Sequence, residues 1–245
     1  GADNVGGRMD AVSDGLFGQA VALATSSRFG VGGARFHYSD REEWVDTVYM
    51  GAWPRGVFER IGLFDEEQIR NQDDEFNYRL RSRGGRILLS PRIKSSYYNR
   101  STLRSLWRQY FQYGYWKVRV LQKHPRQMKT RQFVPAIFVL ALFASFLSAL
   151  IFPKAGWIFL AAVAGAYIAA NACASVVTAG WRNVRMLFRL PAVFFVLHIA
   201  YGSGFLFGLV RFWNRWRADE SGPQRWSVVE EASFERSQSS ALQMK

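Results

Sequence analysis

From Phe133 to Phe152 the chain carries no charged side chain, and from Ala155 to Thr178 it carries none again. A helix of about 20 such residues crosses the roughly 30 Å of hydrocarbon in a bilayer. No other feature restricts the fold as strongly, because an uncharged rod of that length needs either lipid or a large shell of protein around it. The residues before Phe133 are too few to wrap several such rods in a soluble core. A third run, Ala192 to Val210, is broken only by His198 and the glycines Gly202 and Gly204, which membrane helices tolerate. The sequence thus predicts about three transmembrane helices, over residues 133–152, 155–178 and 192–213.

The 32 Lys and Arg outnumber the 19 Asp and Glu, for a formal charge of +13. Their placement argues against a nucleic-acid partner. Arg126, Lys129 and Arg131 precede the first run, and Arg182, Arg185 and Arg189 separate the second from the third. Basic loops stay on the cytoplasmic side, so both groups face the cytoplasm and anionic membrane lipids are the expected partner. A third full crossing puts Arg211, Arg215 and Arg217 outside, against the same rule. Either that segment is re-entrant or the charge signal is mixed. Residues 1–14 have no apolar stretch of the kind that forms a secretion signal. Cys173, the single cysteine, excludes an intramolecular disulfide and a thiolate metal cluster. Residues 215–245 read as a polar, disordered tail.

Before the apolar runs, the pattern is mixed. Residues 2–5 form a strand candidate ending at Gly6 and Gly7, and Leu16 to Ser27 reads as a helix that stops before Gly30-Val31-Gly32-Gly33. That glycine run lacks the spacing and lysine of a P-loop and is read as a turn. Trp44 to Met50 alternates as a strand does, and Val57 to Ile61 is a short helix closed by Gly62. Asp73-Asp74-Glu75 opens a further helix whose apolar face is Phe76 and Leu80 and whose end is Gly84-Gly85, an order that suits the helix dipole. Arg86 to Leu89 follows as a strand stopped by Pro91. Strand, helix and strand in alternation indicate an α/β layer. From Leu103 to Gln122, aromatic residues alternate with Arg104, Arg108, Lys117 and Arg119, the composition of a membrane-surface helix.

Three consecutive carboxylates at a helix start have an ordinary use as a cap and solvated acids. Their other use is as a base. The helix is followed by an aromatic, glutamine-rich amphipathic helix and then by membrane spans, and in that order the chain resembles the membrane-bound family 2 glycosyltransferases, closest to the succinoglycan-type exopolysaccharide glucosyltransferases. The stretches that carry the likeness are Asp3-Asn4-Val5-Gly6-Gly7, Phe29-Gly30-Val31-Gly32, Asp46-Thr47-Val48-Tyr49-Met50-Gly51, Ile61-Gly62-Leu63-Phe64-Asp65-Glu66 and Asn71-Gln72-Asp73-Asp74-Glu75-Phe76-Asn77-Tyr78-Arg79-Leu80.

The resemblance implies an α/β fold: the second half of a GT-A-like catalytic domain over residues 1–100, an interfacial helix and linker over 101–131, and transmembrane helices over 132–214. It implies an inverting transfer of sugar from a nucleotide-sugar donor, with UDP as carrier, to a lipid-linked or growing exopolysaccharide acceptor at the cytoplasmic face of the cell inner membrane. In such proteins an acid at the start of this helix is the catalytic base. Counted back from Phe76 and Arg79, Asp73 takes that position, with Gln72 in place of a glutamate, and Asp74 is the alternative one residue on. A single base suffices, because the acceptor hydroxyl loses its proton as it attacks the anomeric carbon opposite the leaving diphosphate. The second signature, Gln-x-x-Arg-Trp on the interfacial helix, is met by Gln109 to Tyr113 or by Gln112 to Trp116, in each case without the arginine. Gln109, Gln112, Tyr113 and Trp116 are therefore the expected acceptor-binding residues, and Tyr113 and Trp116 serve equally well as membrane-interface anchors.

The resemblance also implies a divalent metal, Mg or Mn, held by an Asp-x-Asp motif. No such motif occurs in the sequence. The nucleotide-binding half is expected to precede Gly1, and this chain alone is expected to be inactive. Asp3, Asp10 and Asp65-Glu66-Glu67 read as solvated surface. His37 and His124 lack the spacing of a metal site, and His198 reads as a neutral imidazole hydrogen-bonded to a neighbouring helix. A different class of function remains open, a non-catalytic membrane scaffold or subunit of a polysaccharide synthase complex. A transporter is disfavoured, because His198 alone inside the spans makes a poor ion pathway.

Overall fold

The computed structural model describes residues 1–13, 15–180 and 183–216. Arg182 and, of the tail read as disordered, the residues from Arg217 on lie outside the described residues, whereas Arg215 pairs with Glu67. The mixed α/β layer and the apolar helices expected from the sequence are both present.

The α/β layer is a four-stranded sheet in the order β2-β4-β1-β3, with β1 at Asn4–Val12, β2 at Glu43–Trp44, β3 at Tyr49–Ala52 and β4 at Ile87–Tyr98. Strand β1 runs parallel to β4 and antiparallel to β3. It continues past Gly6 and Gly7, where the sequence suggested an end. Side chains are excluded there: a Cβ on Gly6 would collide with Val48, and one on Gly7 with the Ile93 carbonyl. The glycines permit close pairing instead of ending the strand. Strand β4 likewise runs through Pro91. Gly6 pairs with Leu89 and Arg8 with Lys94, so two residues of β1 are matched by five of β4, and Pro91 sits in the resulting bulge, where its missing N–H breaks no ladder bond. The strand expected over Trp44 to Met50 is two short strands, β2 and β3, with Met50 left-handed at φ 52°.

Helices α1 (Leu16–Thr25), α2 (Arg28–Val31), α3 (Arg55–Ile61) and α4 (Gln72–Ser82) surround the sheet or lead away from it. Helix α4 begins with three acids, as the dipole favours, and ends before Gly84, whose φ of +80° reverses the chain. Phe76 and Leu80 on α4 are fully buried against Val48, Val57, Ile61, Ile87 and Leu89. Trp53, Phe58 and Phe64 close that core around Phe76, with ring centroids 4.6 to 5.5 Å from it.

Helix α5 (Leu103–Lys123) is capped by Thr102, whose hydroxyl accepts from the Ser105 N–H at 3.2 Å. The apolar runs form α6 (Val134–Ile151), α7 (Pro153–Ala179), the short α8 (Val184–Leu187) and α9 (Leu190–Arg211). Three stretches are long and apolar enough to cross a membrane: α6, α7 and residues 184–211. They differ in environment, because 17% and 11% of the apolar windows of α6 and α7 are buried in protein, against 44% for the third. Helix α1 is part of this second layer. Its Ala20, Val21 and Ala24 pack with Leu106 of α5 and with Leu190, Val193, Phe194 and Leu197 of α9.

Candidate functional site

Helix α4 is fixed by buried polar groups. Glu75 and Arg79, four residues apart and both buried, form a two-point pair, Nε to Oε1 at 2.6 Å and Nη2 to Oε2 at 3.0 Å. Arg79 also donates to the carbonyls of Ile61 at 2.6 Å and Leu63 at 2.7 Å, which holds the turn after α3 against α4. Burial alone would push the Glu75 carboxyl up. Hydrogen bonds from His124 and Arg79 outweigh it and hold the group below its ordinary value. The His124 ring nitrogen Nε2 lies 2.9 Å from Glu75 Oε1. On the sheet side, Asn77 donates to Thr47 Oγ1 at 2.9 Å and accepts from Asn4 Nδ2 at 2.8 Å, so α4 is tied to β1 through two buried amides.

This frame separates the two acids proposed as base. The Asp74 carboxylate is ion-paired with the buried Lys117 of α5, and its carbonyl accepts from Gln127 at 2.9 Å. Asp74 thus clamps α4 to α5. Asp73 has no side-chain partner among the described residues and opens to solvent. Protein crowds it on the other sides, and this burial pushes its carboxyl up, with neighbouring Asp74 adding and its own backbone N–H opposing. A carboxylate that is raised, accessible and uncommitted has the properties of a general base.

Of the glutamines and tyrosines expected on α5, Gln109 and Tyr113 form one hydrogen-bonded group. Gln109 Nε2 donates to the hydroxyls of Tyr97 and Tyr113, both at 2.8 Å, and Gln109 Oε1 accepts from Arg100 at 3.2 Å. Tyr97 meets Tyr49 edge to face at 5.9 Å. Burial raises the Tyr49 hydroxyl first, then Tyr97, and the charge of Asp73 adds to the shift. Asn71, the N-cap of α4, donates to the Tyr113 carbonyl at 3.2 Å, and Arg70 donates to Gln112 Oε1 at 3.1 Å. Arg70 and Asn71, at the entry to α4, thus bring Gln112 and Tyr113 of α5 to the end of α4 that carries Asp73. Trp116 stands apart. It lies against Phe212 at 5.8 Å and shares with Gln112 a groove of about 470 Å³ that Arg104, Trp107, Arg108, Phe111 and Phe207 also line.

Several acids read as solvated surface are engaged. Asp3 pairs with Arg60 and accepts from the Arg86 N–H at 2.8 Å, and Asp10 pairs with Arg8 at 2.8 Å. Glu67 is a hub: it accepts from Arg119 Nε at 2.9 Å, from Arg215 at 3.1 Å, and pairs with Lys123 at 2.7 Å, while Asp65 takes the same lysine at 2.6 Å. Burial would raise Glu67, but the bonds from Arg119 and Lys123 bring it down to about 2. The sequence held one usable signal for such pairing, the i, i+4 spacing of Glu75 and Arg79. The long-range partners Lys117, Arg119 and Lys123 leave no mark in local spacing.

Among the described residues, no three His, Cys, Asp or Glu side chains converge as ligands for a metal ion. The residues present do not fit the divalent ion implied by the resemblance. His198 is satisfied as expected: its Nε2–H donates to the Phe29 carbonyl at 2.9 Å, which leaves Nδ1 to accept from the Tyr167 hydroxyl at 3.1 Å.

The chain is 30% identical over 218 residues to the succinoglycan biosynthesis protein ExoA of Rhizobium meliloti, covering 88% of this chain and 63% of that protein. It is 31% identical over 120 residues to a dolichyl N-acetyl-alpha-D-glucosaminyl phosphate 3-beta-D-2,3-diacetamido-2,3-dideoxy-beta-D-glucuronosyltransferase of Methanococcus voltae, covering 49% of this chain and 37% of that protein. The chain therefore spans less than two thirds of the length of either relative. No family model and no solved structure matches it. The likeness to succinoglycan-type glycosyltransferases read from the motifs is borne out.

Proposed function

We propose that the chain is the acceptor-side portion of an inverting family 2 glycosyltransferase, which moves a sugar from a UDP-linked donor to a lipid-linked or growing exopolysaccharide acceptor at the cytoplasmic face of the inner membrane. Residues 1–100 are read as the second half of a GT-A domain. The observation that carries this reading is the contrast on α4, where Asp74 is spent on Lys117 while Asp73 stays uncommitted among the described residues.

In this reading Asp73 takes the proton of the acceptor hydroxyl as that oxygen attacks the anomeric carbon. The aromatic faces of Tyr97 and Tyr113 and the amide of Gln109 hold the acceptor ring by stacking and hydrogen bonding. Lys117 and Asp74 keep α4 and α5 at fixed spacing, so that base and acceptor meet in one geometry.

The test is sugar transfer by the full-length protein in membranes. Asp73→Asn preserves shape and removes the base, and turnover is expected to fall roughly 100- to 10,000-fold with donor binding little changed. Asp74→Asn strips the partner from a buried lysine and is expected to lower stability more than chemistry. If Asp74→Asn abolishes turnover in folded protein while Asp73→Asn does not, the assignment of the base moves by one residue. If neither changes transfer, the acids at the start of α4 are structural and the base lies elsewhere.

A further inference from the structure

A helix that crosses a bilayer shows one end to each side, and a soluble region on one side touches only the nearer end. Helix α9 breaks that rule. Its first turns pack on Ala20, Val21 and Ala24 of α1 and on Leu106 of α5. At its middle, His198 bonds the Phe29 carbonyl, and Gly204 lets the backbone of Phe111 approach so closely that a Cβ would collide with it. Just past its end, Gln122 donates to the Phe212 carbonyl at 2.7 Å, Arg119 to the Arg215 carbonyl at 3.1 Å, and Arg215 pairs with Glu67. Residues 16–123 accompany α9 from one end to the other.

The hairpin of α6 and α7 supplies an independent ruler. Phe138 stacks on Tyr167 at 4.3 Å, so these two residues share a level, and so do residues 134 and 171, four back and four on. At that level Phe133 of the hairpin meets Phe205 of α9 with centroids 5.6 Å apart, while Asn171 donates to the Pro191 carbonyl at 3.0 Å. Positions 191 and 205 are separated by roughly 21 Å along a helix at 1.5 Å per residue. One level of the hairpin touches both only if α9 lies across the hairpin and not alongside it.

Charge agrees. Helix α5 runs lengthwise against α9 and carries Arg104, Arg108, Lys117 and Arg119, which a crossing pair would drag through hydrocarbon. Arg185 and Arg189 flank one end of α9, Arg211 and Arg215 the other, and the positive-inside rule puts both ends on one side.

We propose that α9 lies along the membrane surface paired with α5, that only α6 and α7 cross, and that residues 211–216 share the side of residues 1–131. The partner of the outward face is the anionic headgroup layer. Arg104 and Arg108 have no ion-pair partner among the described residues, and they flank the exposed Trp107, with Phe207 and Trp213 exposed beyond, the mixture of cations and aromatics that suits an interface.

The experiment uses the full chain with Cys173→Ser in sealed vesicles and a membrane-impermeant maleimide. Trp213→Cys is expected to react from the same side as Ser101→Cys, with Lys154→Cys in the hairpin turn reached only from the other. Reaction of Trp213→Cys together with Lys154→Cys overturns the proposal. A second measurement places nitroxide labels at Phe195→Cys and Phe207→Cys. A surface helix holds both at one shallow depth, whereas a span separates them by roughly 18 Å, and a separation of that size overturns it as well.

Discussion

The sheet layer and the helical layer are locked by opposite means. Around α4 the contacts that set geometry are polar and buried: Asn4 with Asn77, Glu75 with Arg79, Arg79 with two backbone carbonyls. Between α5 and α9 they are absences of side chain. Gly114 lies against the Tyr201 carbonyl, Gly204 against Phe111, and Gly208 against Tyr115. Hydrogen bonds fix direction, so the polar layer can aim a carboxylate. Small residues fix distance and leave the outer faces free for lipid. Lys117 with Asp74 and Arg119 with Glu67 join the two layers, which is how a helix at the membrane is held to the acid-bearing helix.

The largest effect is expected where the polar layer is cut. Arg79→Ala leaves Glu75 charged and buried beside His124 and frees the carbonyls of Ile61 and Leu63. Loss of one member of such a pair costs about 3 to 5 kcal/mol. Thermal unfolding in detergent should show a sharply lowered midpoint, and an unchanged midpoint would mean that α4 is held by its apolar face alone.

A smaller effect is expected from filling the helical layer. Gly204→Leu pushes four carbons against the Phe111 backbone, and overpacking of this kind costs about 1 to 3 kcal/mol. It should part α5 from α9 without touching α4, so protease sensitivity should rise in residues 103–123 before it rises in residues 72–82. The reverse order would show that the two layers are not separately held.

The smallest concerns the joint between them. Glu67 ionises at about 2 in the folded chain against an ordinary 4.5. Folding thus favours its charged form, so its contribution is complete above pH 4.5 and disappears as the pH falls through about 2. Partial exposure and screening keep it below the effect of the buried pair. Glu67→Gln should flatten the loss of stability across that window, and an unaltered acid limb would remove Glu67 from the joint.

The acids at the start of α4, its apolar face and its glycine stop were legible because each is a local signal. So were the apolar runs, whose composition alone fixes helix and length. What escaped the sequence was relational. Gly6, Gly7 and Pro91 look like strand breakers until the neighbouring strand supplies the reason for them. Asp65 and Glu67 look solvated until α5, some fifty residues on, brings Arg119 and Lys123 to them. Gln109 and Tyr113 were legible as the two ends of one signature, whereas the place of Trp116 in the outer groove depends on where the chain after α9 puts Phe212.

One uncommitted carboxylate on α4 supports a single in-line displacement, with no covalent sugar on the protein. The most direct measurement is the proton NMR of the first product released by the full-length enzyme from an α-linked donor. A β-configured product is the result the account predicts. A product that keeps the α configuration requires two displacements or a front-face route, and it would contradict Asp73 as the lone base.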